Sequence, residues 1–256
     1  MKKNTVLKLI LLLACVLGFC SCDSKETGVL IQNEVIVAAA ESSEGYVAAI
    51  EYCEENGYKY NLYNDLYDAS LAVSNGKADY VVISEYEYNK ANFLKDTLTF
   101  HEKAGYSVKF HGITRKNNDD LCKEINSAIK VLRDNGELEK VKKNFIVNGT
   151  APENKVHGKY KGTIKVLCLP DFENKVFYDE SGKLNGADVA LAYAICNYLG
   201  YELEFVECQA DDIFYKLEKG KGDIIFSSME YTPQRAEQYL YTDYYDEDIF
   251  NVYKRK

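Results

Sequence analysis

The sequence lacks tryptophan, contains only three histidines, and beyond its first 22 residues has no two cysteines close together. His101, His111 and His157 stand in no motif that pairs them with a nucleophile or an acid, and no nucleophile elbow is present. The later cysteines have neither the spacing of a zinc knuckle nor that of a redox motif. We therefore predict no catalytic residue, no metal site and no cofactor.

Basic residues are in the minority, since 31 Lys and Arg stand against 40 Asp and Glu, a formal net charge of −9. Residues 1–21 contain three of the lysines and none of the acidic residues, so without them the balance is 28 against 40, or −12. A chain this acidic attracts neither nucleic acid nor an anionic membrane surface. We therefore expect no nucleic-acid partner. The remaining chain is long enough for one large core or two smaller ones.

The N-terminal apolar run, Leu7–Phe19, is interrupted by Lys8 and is too short to span a membrane comfortably. It follows Lys2 and Lys3 and is soon followed by a cysteine. Residues 1–21 therefore resemble a lipoprotein signal peptide, whose cysteine is acylated and begins the mature chain.

Two cysteines are candidates for the lipid. We prefer Cys22, which follows a small serine, to Cys20, which follows Phe19; a simply cleaved secretory peptide is the alternative. Residues 22–32 are then the lipidated cysteine and a polar tether. The protein is expected to be exported and lipid-anchored on the outer face of the cytoplasmic membrane.

Five cysteines follow the signal region: Cys53, Cys122, Cys168, Cys196 and Cys208. An odd number of scattered cysteines indicates buried thiols. A disulfide between Cys168 and Cys208 is the alternative, because these two residues end predicted adjacent strands.

Two blocks of alternating strand and helix patterns are separated by a polar segment, residues 147–161. In the first block the patterns predict strands at 35–39, 59–62, 80–83 and 106–114, and helices at 44–56, 66–73, 121–132 and 136–145. In the second they predict strands at 164–169, 203–206 and 223–226, and helices at 187–199 and 212–217. Such alternation favours parallel sheets, whose ligands bind at the carboxyl ends of the strands. Two blocks of this kind imply two α/β lobes with a cleft between them.

The second block contains several short motifs in a fixed order. They are Tyr178-Asp179-Glu180-Ser181-Gly182-Lys183-Leu184-Asn185-Gly186-Ala187-Asp188-Val189, Leu199-Gly200-Tyr201-Glu202, Leu217-Glu218-Lys219-Gly220-Lys221-Gly222-Asp223-Ile224 and Thr232-Pro233-Gln234-Arg235. Each is weak alone, but together they closely resemble the first lobe of the family 3 extracellular solute-binding proteins, the polar amino-acid receptors of ABC importers. The resemblance implies a two-lobed periplasmic-binding-protein-like α/β fold.

The first block resembles the remainder of the same family, so the lobes stand in permuted order. Residues 33–105 resemble the second lobe, and residues 106–146 resemble the return strand and the closing helices that pack on the first lobe. Residues 147–161 would be the permutation linker and residues 162–256 the first lobe. Circular permutation is tolerated where chain termini lie close together on the surface. The alternative is a fusion of two half-receptors, each completed by another chain.

Arg235 is the leading candidate for a ligand contact. Thr232 can cap a helix and Pro233 suits its first turn, which places Arg235 at a helix start. In the family this arginine holds the ligand carboxylate through its planar, permanently charged guanidinium. Ser228 and Met229 follow the preceding strand at positions whose backbone lines the family's pocket.

On the opposite lobe, Ser42 and Ser43 precede a predicted helix whose free N–H groups favour an anionic group, although simple capping serines explain them equally well. In the family pattern an aspartate of the second lobe holds the ligand's amino group, and its position falls near Ser84 and the neighbouring Glu85 in this sequence.

Two departures from the family pattern bear on the ligand. Glu230 stands where the family usually has a small or hydroxyl residue, and Ala210 stands where the family has an aromatic platform for the ligand. Phe172 and Tyr178 are expected to supply aromatic walls in its place. Together with Glu85 and Glu41, Glu230 favours a cationic or amine-bearing ligand.

The resemblance implies a monomeric receptor that delivers a small polar solute, an amino acid or an amine-bearing compound, to the membrane permease of an ABC importer. A ligand-sensing or partner-binding lipoprotein is the main alternative. A dehydratase-like enzyme on the same fold is a weaker one, because no partnered histidine supports it.

Receptors of this family join their lobes through two crossing strands. One crossing is expected as a continuous strand near Ala104–Gly112. The other is expected to be split, with halves near Asp248–Lys254 and Val29–Val35 lying side by side in one sheet. Deletion of Phe250–Lys256 is then expected to loosen closure without unfolding either lobe.

Overall fold

The computed structural model describes residues 34–43, 45–151, 159–170 and 174–256. The proposed signal peptide, Cys22, most of Val29–Val35 and the candidate Phe172 lie outside the described residues. Residues 34–256 form one compact unit. Among the described residues, no helix is long and apolar enough to cross a membrane.

The first part of this unit is a βα layer that we name the N-lobe. It comprises β1 (Ile36–Ala40), α1 (Gly45–Asn56), β2 (Lys59–Tyr63), α2 (Leu66–Ser74), β3 (Tyr80–Ser84), α3 (Glu85–Lys90) and α4 (Asn92–Thr97). The long strand β4 (Leu98–Arg115) and helices α5 (Asp119–Asp134) and α6 (Glu137–Asn148) follow it.

The second βα layer is named the C-lobe. It comprises β5 (Thr163–Cys168), β6 (Phe177–Tyr178), β7 (Leu184–Asn185), α7 (Ala187–Leu199), β8 (Glu202–Glu207), α8 (Ile213–Glu218), β9 (Ile224–Glu230) and α9 (Pro233–Ala236). The chain closes with the long strand β10 (Tyr239–Arg255). The helix predicted at 187–199 is confirmed, including its left-handed end at Gly200, where φ is 82°.

One eight-stranded sheet contains both lobes, in the order β2-β1-β3-β10-β4-β9-β5-β8. In this sheet the strands of each lobe pair in parallel, whereas β10 and β4 are antiparallel to each other and to the lobe strand beside them. Strands β6 and β7 of the C-lobe form a separate antiparallel pair. These two long strands cross from one lobe to the other and join them.

Helices α5 and α6, which follow β4, both pack against α7 of the C-lobe, and α5 also packs against β10. Ile125 and Ile129 of α5 share one buried core with Leu191 and Ile195 of α7. The helix pair α5–α6 therefore adds its apolar face to the C-lobe.

The prediction of a split second crossing is wrong. Strand β10 is continuous through Asp248–Lys254, and from Asn251 to Lys254 it pairs with β3 on one edge and β4 on the other. A third strand cannot pair along this stretch because both rows of backbone groups are already bonded. The first crossing is also longer than the predicted 106–114, since β4 begins at Leu98.

The five cysteines beyond the signal region are all free and buried. Cys168 and Cys208 are neighbours, since the Cys208 N–H donates to the Cys168 carbonyl at 2.9 Å. Burial, with a smaller contribution from the nearby Cys208, raises the pKa of the Cys168 thiol to about 12.

Candidate functional site

The carboxyl ends of the two sets of parallel strands converge on the middle of β10. Strand β3 ends at Ser84, which pairs with Phe250. Strand β9 ends at Glu230, which pairs with Phe110 of β4, and Phe110 in turn pairs with Asp246. Ligands of α/β proteins bind beyond the carboxyl ends of parallel strands. The segment 246–250 of β10 is therefore where the topology places a ligand.

A buried group of charges occupies that place. Asp246 and Asp248 each accept hydrogen bonds from two lysine ammonium groups, those of Lys142 on α6 and Lys175 in the segment between β5 and β6. The Lys142 distances are 2.6 Å to Asp246 and 2.9 Å to Asp248, and the Lys175 distances are 3.2 and 2.6 Å. The Lys175 side chain is only 1% exposed. We name these four residues the ammonium–carboxylate cluster.

The ion pairs of this cluster shift the pKa values of Asp246 and Lys142 more than burial does. Burial alone would raise the pKa of Asp246, but Lys175 and Lys142 overcome it and hold that pKa below its usual value. Burial likewise opposes the charged form of Lys142, yet Asp246 and Asp248 raise its pKa. Ion pairs removed from water persist when each charge is matched and hydrogen-bonded.

Two aromatic rings flank the Lys175 ammonium. Its Nζ lies 4.5 Å from the ring centroid of Phe110 on β4 and 5.5 Å from that of Tyr86 on α3. Both rings are buried. An ammonium near a ring is attracted by its negative face, and more strongly when water is excluded. The site thus has the carboxylates and aromatic walls expected around a bound amine.

Tyr86 also ties the N-lobe to the C-lobe. It packs in one apolar cluster with Val176 and Ala187 of the C-lobe and Phe145 of α6. Its hydroxyl donates to the carbonyl of Asn174 at 3.3 Å. Contact between the lobes beside Lys175 therefore depends on α3.

Asp188, fully buried in the first turn of α7, borders the cluster on the C-lobe side. Its Oδ2 accepts a hydrogen bond from Ser228 Oγ at 2.8 Å, and the Ser228 N–H donates to the Tyr245 hydroxyl at 3.1 Å. Its Oδ1 is a buried oxygen without a hydrogen-bond partner among the described residues. Burial raises the pKa of Asp188 to about 6, and the Lys175 charge opposes that shift.

Glu87 borders the cluster on the N-lobe side. Ser84 caps α3 by accepting the Glu87 N–H at 3.1 Å, and Glu87 accepts from the Ser84 N–H in return. Ser43, whose Oγ accepts from the Gly45 N–H at 3.0 Å, also donates to Glu87. Burial raises the pKa of Glu87 despite these hydrogen bonds.

Gly186 and Asn185 hold the Lys175 segment in place. Gly186 has a φ of 137°, and a Cβ there would overlap the carbonyl of Lys175, so only glycine fits. The Asp188 N–H donates to that carbonyl at 3.1 Å. Asn185 accepts from the Ala151 N–H and donates to the Gly149 carbonyl, which fastens the end of α6 to the same place.

The predicted site residues fall into two groups. Ser228, Ser43 and Ser84 lie at the two ends of the polar network just described, and Glu85 follows Ser84 at the start of α3. The other group has partners outside that network. Arg235 lies with its Cζ 5.1 Å from the Phe214 ring centroid, and Met229 is packed in an apolar core.

The remaining candidates are at the surface. Glu230, Glu41 and Ser42 are exposed, and Tyr178 is 45% exposed, with a pKa raised to about 12 by its hydrogen bond to Glu207. The acidic character that we expected from Glu230, Glu85 and Glu41 is thus concentrated in Asp246 and Asp248.

The ammonium–carboxylate cluster, Asp188 and Glu87 were not among the site residues predicted from the sequence. One signal was available, because Asp246 and Asp248 stand two residues apart in a strand-like run of tyrosines and branched residues. Residues two apart in a strand face the same side of the sheet. The lysines gave no comparable signal, since one lies in an amphipathic helix and the other between strands.

Two small cavities lie beside the cluster in the part of the chain that the structure describes. Each flanks Lys142 and measures about 180 Å³. One is lined by Tyr86 of α3 and Ile146 of α6, and the other by Arg133 and Tyr244. Pockets for drug-sized ligands usually measure about 300–1,000 Å³.

Residues 164–256 match the family model of the bacterial extracellular solute-binding proteins, family 3. ArtJ of Chlamydia trachomatis serovar D, a probable ABC transporter arginine-binding protein, is 35% identical over 80 residues, or 31% of this chain and 30% of that protein. A probable amino-acid ABC transporter-binding protein of Haemophilus influenzae is 34% identical over 70 residues, 27% of either chain.

Among solved structures, the arginine-bound domain 1 from TmArgBP is 30% identical, and the match covers 38% of this chain and 82% of that one with a TM-score of 0.32. The chain spans less than a third of the length of the two curated relatives. These relatives are binding proteins.

Proposed function

We propose that this chain, whose residues 164–256 match the family model of the bacterial extracellular solute-binding proteins, family 3, is a lipid-anchored receptor. It would deliver a small amine-bearing solute to the permease of an ABC importer. The solute would bind between the N-lobe and the C-lobe, at the middle of β10.

The observation that carries this proposal is the pair of buried carboxylates, Asp246 and Asp248, at the convergence of the strand ends. Carboxylates removed from water require positive partners. Phe110 and Tyr86 add the aromatic walls that favour ammonium groups. The arginine-binding description of the relative ArtJ agrees with a cationic amino acid as solute.

The remaining parts of the proposal come from the sequence. Cys22 would carry the lipid, and residues 22–32 would tether the receptor to the outer face of the membrane. The permuted order would let the chain build both lobes, with α5 and α6 closing the C-lobe. Arg235 would hold the solute carboxylate by its bidentate fork once the solute is bound.

The test is a thermal-shift screen of the wild-type protein with arginine, lysine, ornithine, polyamines and short peptides, and with glutamate and succinate as anionic controls. A solute that binds only the folded form must raise the melting temperature, by an amount equivalent to about 2.7 kcal/mol at a hundredfold excess over Kd. We expect amine-bearing solutes to raise it saturably and the anions to leave it unchanged. A screen in which no amine raises the melting temperature contradicts the proposal.

Arg235→Lys provides the companion variant. A lysine keeps the charge but cannot make two parallel hydrogen bonds to a carboxylate, so affinity for an amino acid should fall about tenfold or more. The polyamines, which lack a carboxylate, should bind the variant and the wild type equally in calorimetry.

A second function has one observation in its favour. The amine position at Asp246 and Asp248 is filled by Lys175 of the same chain. A chain that supplies its own ammonium group fits a sensor or partner-binding lipoprotein, whose state changes when that group is displaced.

A further inference from the structure

We propose that the Lys175 side chain is an internal ligand: it occupies a primary-ammonium site formed by Asp246, Asp248, Phe110 and Tyr86, from which an amine solute must displace it. The inference rests on the proposed function in one respect, namely that solute and Lys175 share these carboxylates. It adds the ligand class of the site and the way in which the chain competes for it.

The geometry of the site fits an ammonium group. The Lys175 Nζ donates to Oδ2 of both aspartates, at 3.2 and 2.6 Å, so one nitrogen bridges two acceptors. The Phe110 ring centroid lies 4.5 Å from the same nitrogen. An ammonium is a compact group with three donors, whereas a guanidinium is a larger planar fork. The site is therefore expected to favour primary amines.

Charge balance explains why the site needs a cation. Two carboxylates of the cluster face two ammonium groups, of which Lys142 on α6 supplies one at 2.6 and 2.9 Å, and the nearby Asp188 carboxyl also interacts with the Lys175 charge. Removal of the Lys175 ammonium leaves one buried negative charge uncompensated. A buried charge without a partner is strongly unfavourable, so the emptied site, which keeps its carboxylate acceptors and the Phe110 ring, should take up a primary ammonium ion from solution.

The position of Lys175 distinguishes it from an ordinary structural lysine. Its aliphatic stem comes from the C-lobe, Tyr86 comes from the N-lobe, and the two carboxylates come from β10, which joins the lobes. The side chain thus contacts all three parts that would surround a solute. The two cavities that flank the neighbouring Lys142 measure about 180 Å³ each.

The experiment uses Lys175→Ala and n-propylammonium, which has the three carbons and the nitrogen that the substitution removes. We expect the variant to melt several degrees below the wild type. n-Propylammonium should restore much of this loss in a saturable manner and have no effect on the wild type. Uncharged n-propanol, tetramethylammonium and potassium chloride at equal ionic strength should restore nothing.

Lys140→Ala is the matched control on α6. Lys140 is exposed, with its ion pair to Glu137 at the surface, so the substitution should leave the melting temperature unchanged with or without the amine. If Lys175→Ala does not fold alone, it is refolded with and without n-propylammonium. Recovery of a cooperative melting transition only with the amine supports the proposal, and failure in both conditions overturns it.

The outcomes separate this inference from the proposed function. A folded Lys175→Ala protein that n-propylammonium does not stabilise overturns the internal ligand. So does a wild type that binds n-propylammonium as tightly as the variant. A wild type that binds a panel solute while the variant gains no amine affinity leaves the receptor function standing and removes the inference. The opposite result, with amine binding only after Lys175 is removed, supports the inference and counts against constitutive solute transport.

Discussion

At Asp188, burial and the Lys175 ammonium act on the pKa in opposite directions, and burial is the larger effect. The result is a pKa of about 6, well above the ordinary value of an aspartate. The folded state therefore holds this proton more tightly than the unfolded chain does. Stability contributed by the protonated form is complete below about pH 4 and is lost as pH rises through about 6.

Asp188→Asn should remove this pH dependence, because asparagine keeps the shape and cannot ionise. Between pH 4 and pH 7 the variant should gain up to about 3 kcal/mol in unfolding free energy relative to the wild type, the equivalent of a shift from 3.8 to about 6. Urea denaturation at a series of pH values measures the difference. The exposed Asp96→Asn serves as control, and stability curves for Asp188→Asn and wild type that run parallel across this range would show the assignment to be wrong.

Strand β10 is bordered by other strands on both edges and is packed on both faces. It is a central strand of the sheet, and its last residues pack on both faces: Phe250 and Val252 belong to one core and Tyr253 to another. Each is at most 2% exposed. The earlier expectation that Phe250–Lys256 is a separable hinge segment therefore requires revision.

Deletion of Phe250–Lys256 should unfold the N-lobe. Burial of each large apolar side chain is worth about 1.5–3 kcal/mol, so losing three such residues and the pairing with β3 approaches the whole stability of a domain, about 5–15 kcal/mol. Limited proteolysis and circular dichroism should show cleavage throughout residues 36–97 and a loss of structure. Deletion of Lys256 alone is the control. A truncated protein with wild-type protease resistance would instead restore the hinge interpretation.

At the scale of the whole molecule, the two lobes are joined by β4 and β10 and are held in contact by α3. Tyr86 is buried against Val176 and Ala187, and the Lys90 ammonium lies 5.8 Å from the Phe177 ring centroid. These contacts lie beside the Lys175 ammonium. Opening of the lobes should therefore depend on this small set of side chains.

Tyr86→Ala should separate the lobes and increase the radius of gyration in small-angle scattering. Truncation of a buried aromatic side chain costs about 3–5 kcal/mol, and here much of that packing lies between the lobes. Tyr88→Ala is the matched control, because Tyr88 stacks on Tyr253 at 4.1 Å within the N-lobe and its neighbouring strands. If both variants scatter like the wild type, Tyr86 does not hold the lobes together.

The sequence by itself determined the parts of this protein that depend on local patterns. Alternating strand and helix periodicities located most elements of both lobes, and ordered motifs in residues 162–256 indicated the resemblance to family 3, whose model matches residues 164–256, because each reflects neighbours along the chain. Ser43 also has a local signature, because it precedes a predicted helix, whereas Ser84 and Ser228 were predicted from the resemblance to the family. The short helices α3 and α4 lacked enough turns to show a period.

Only the tertiary structure determined which side chains lie together at the middle of β10. Lys142, Lys175, Asp188 and the Asp246–Asp248 pair are brought together from α6, the β5–β6 segment, α7 and β10, over as many as 106 positions of separation. No local sequence pattern predicts these contacts, because a salt bridge between distant residues depends on where the sheet register places each carboxylate. The continuity of β10 is decided in the same way: which strands border it depends on pairing between residues distant in sequence.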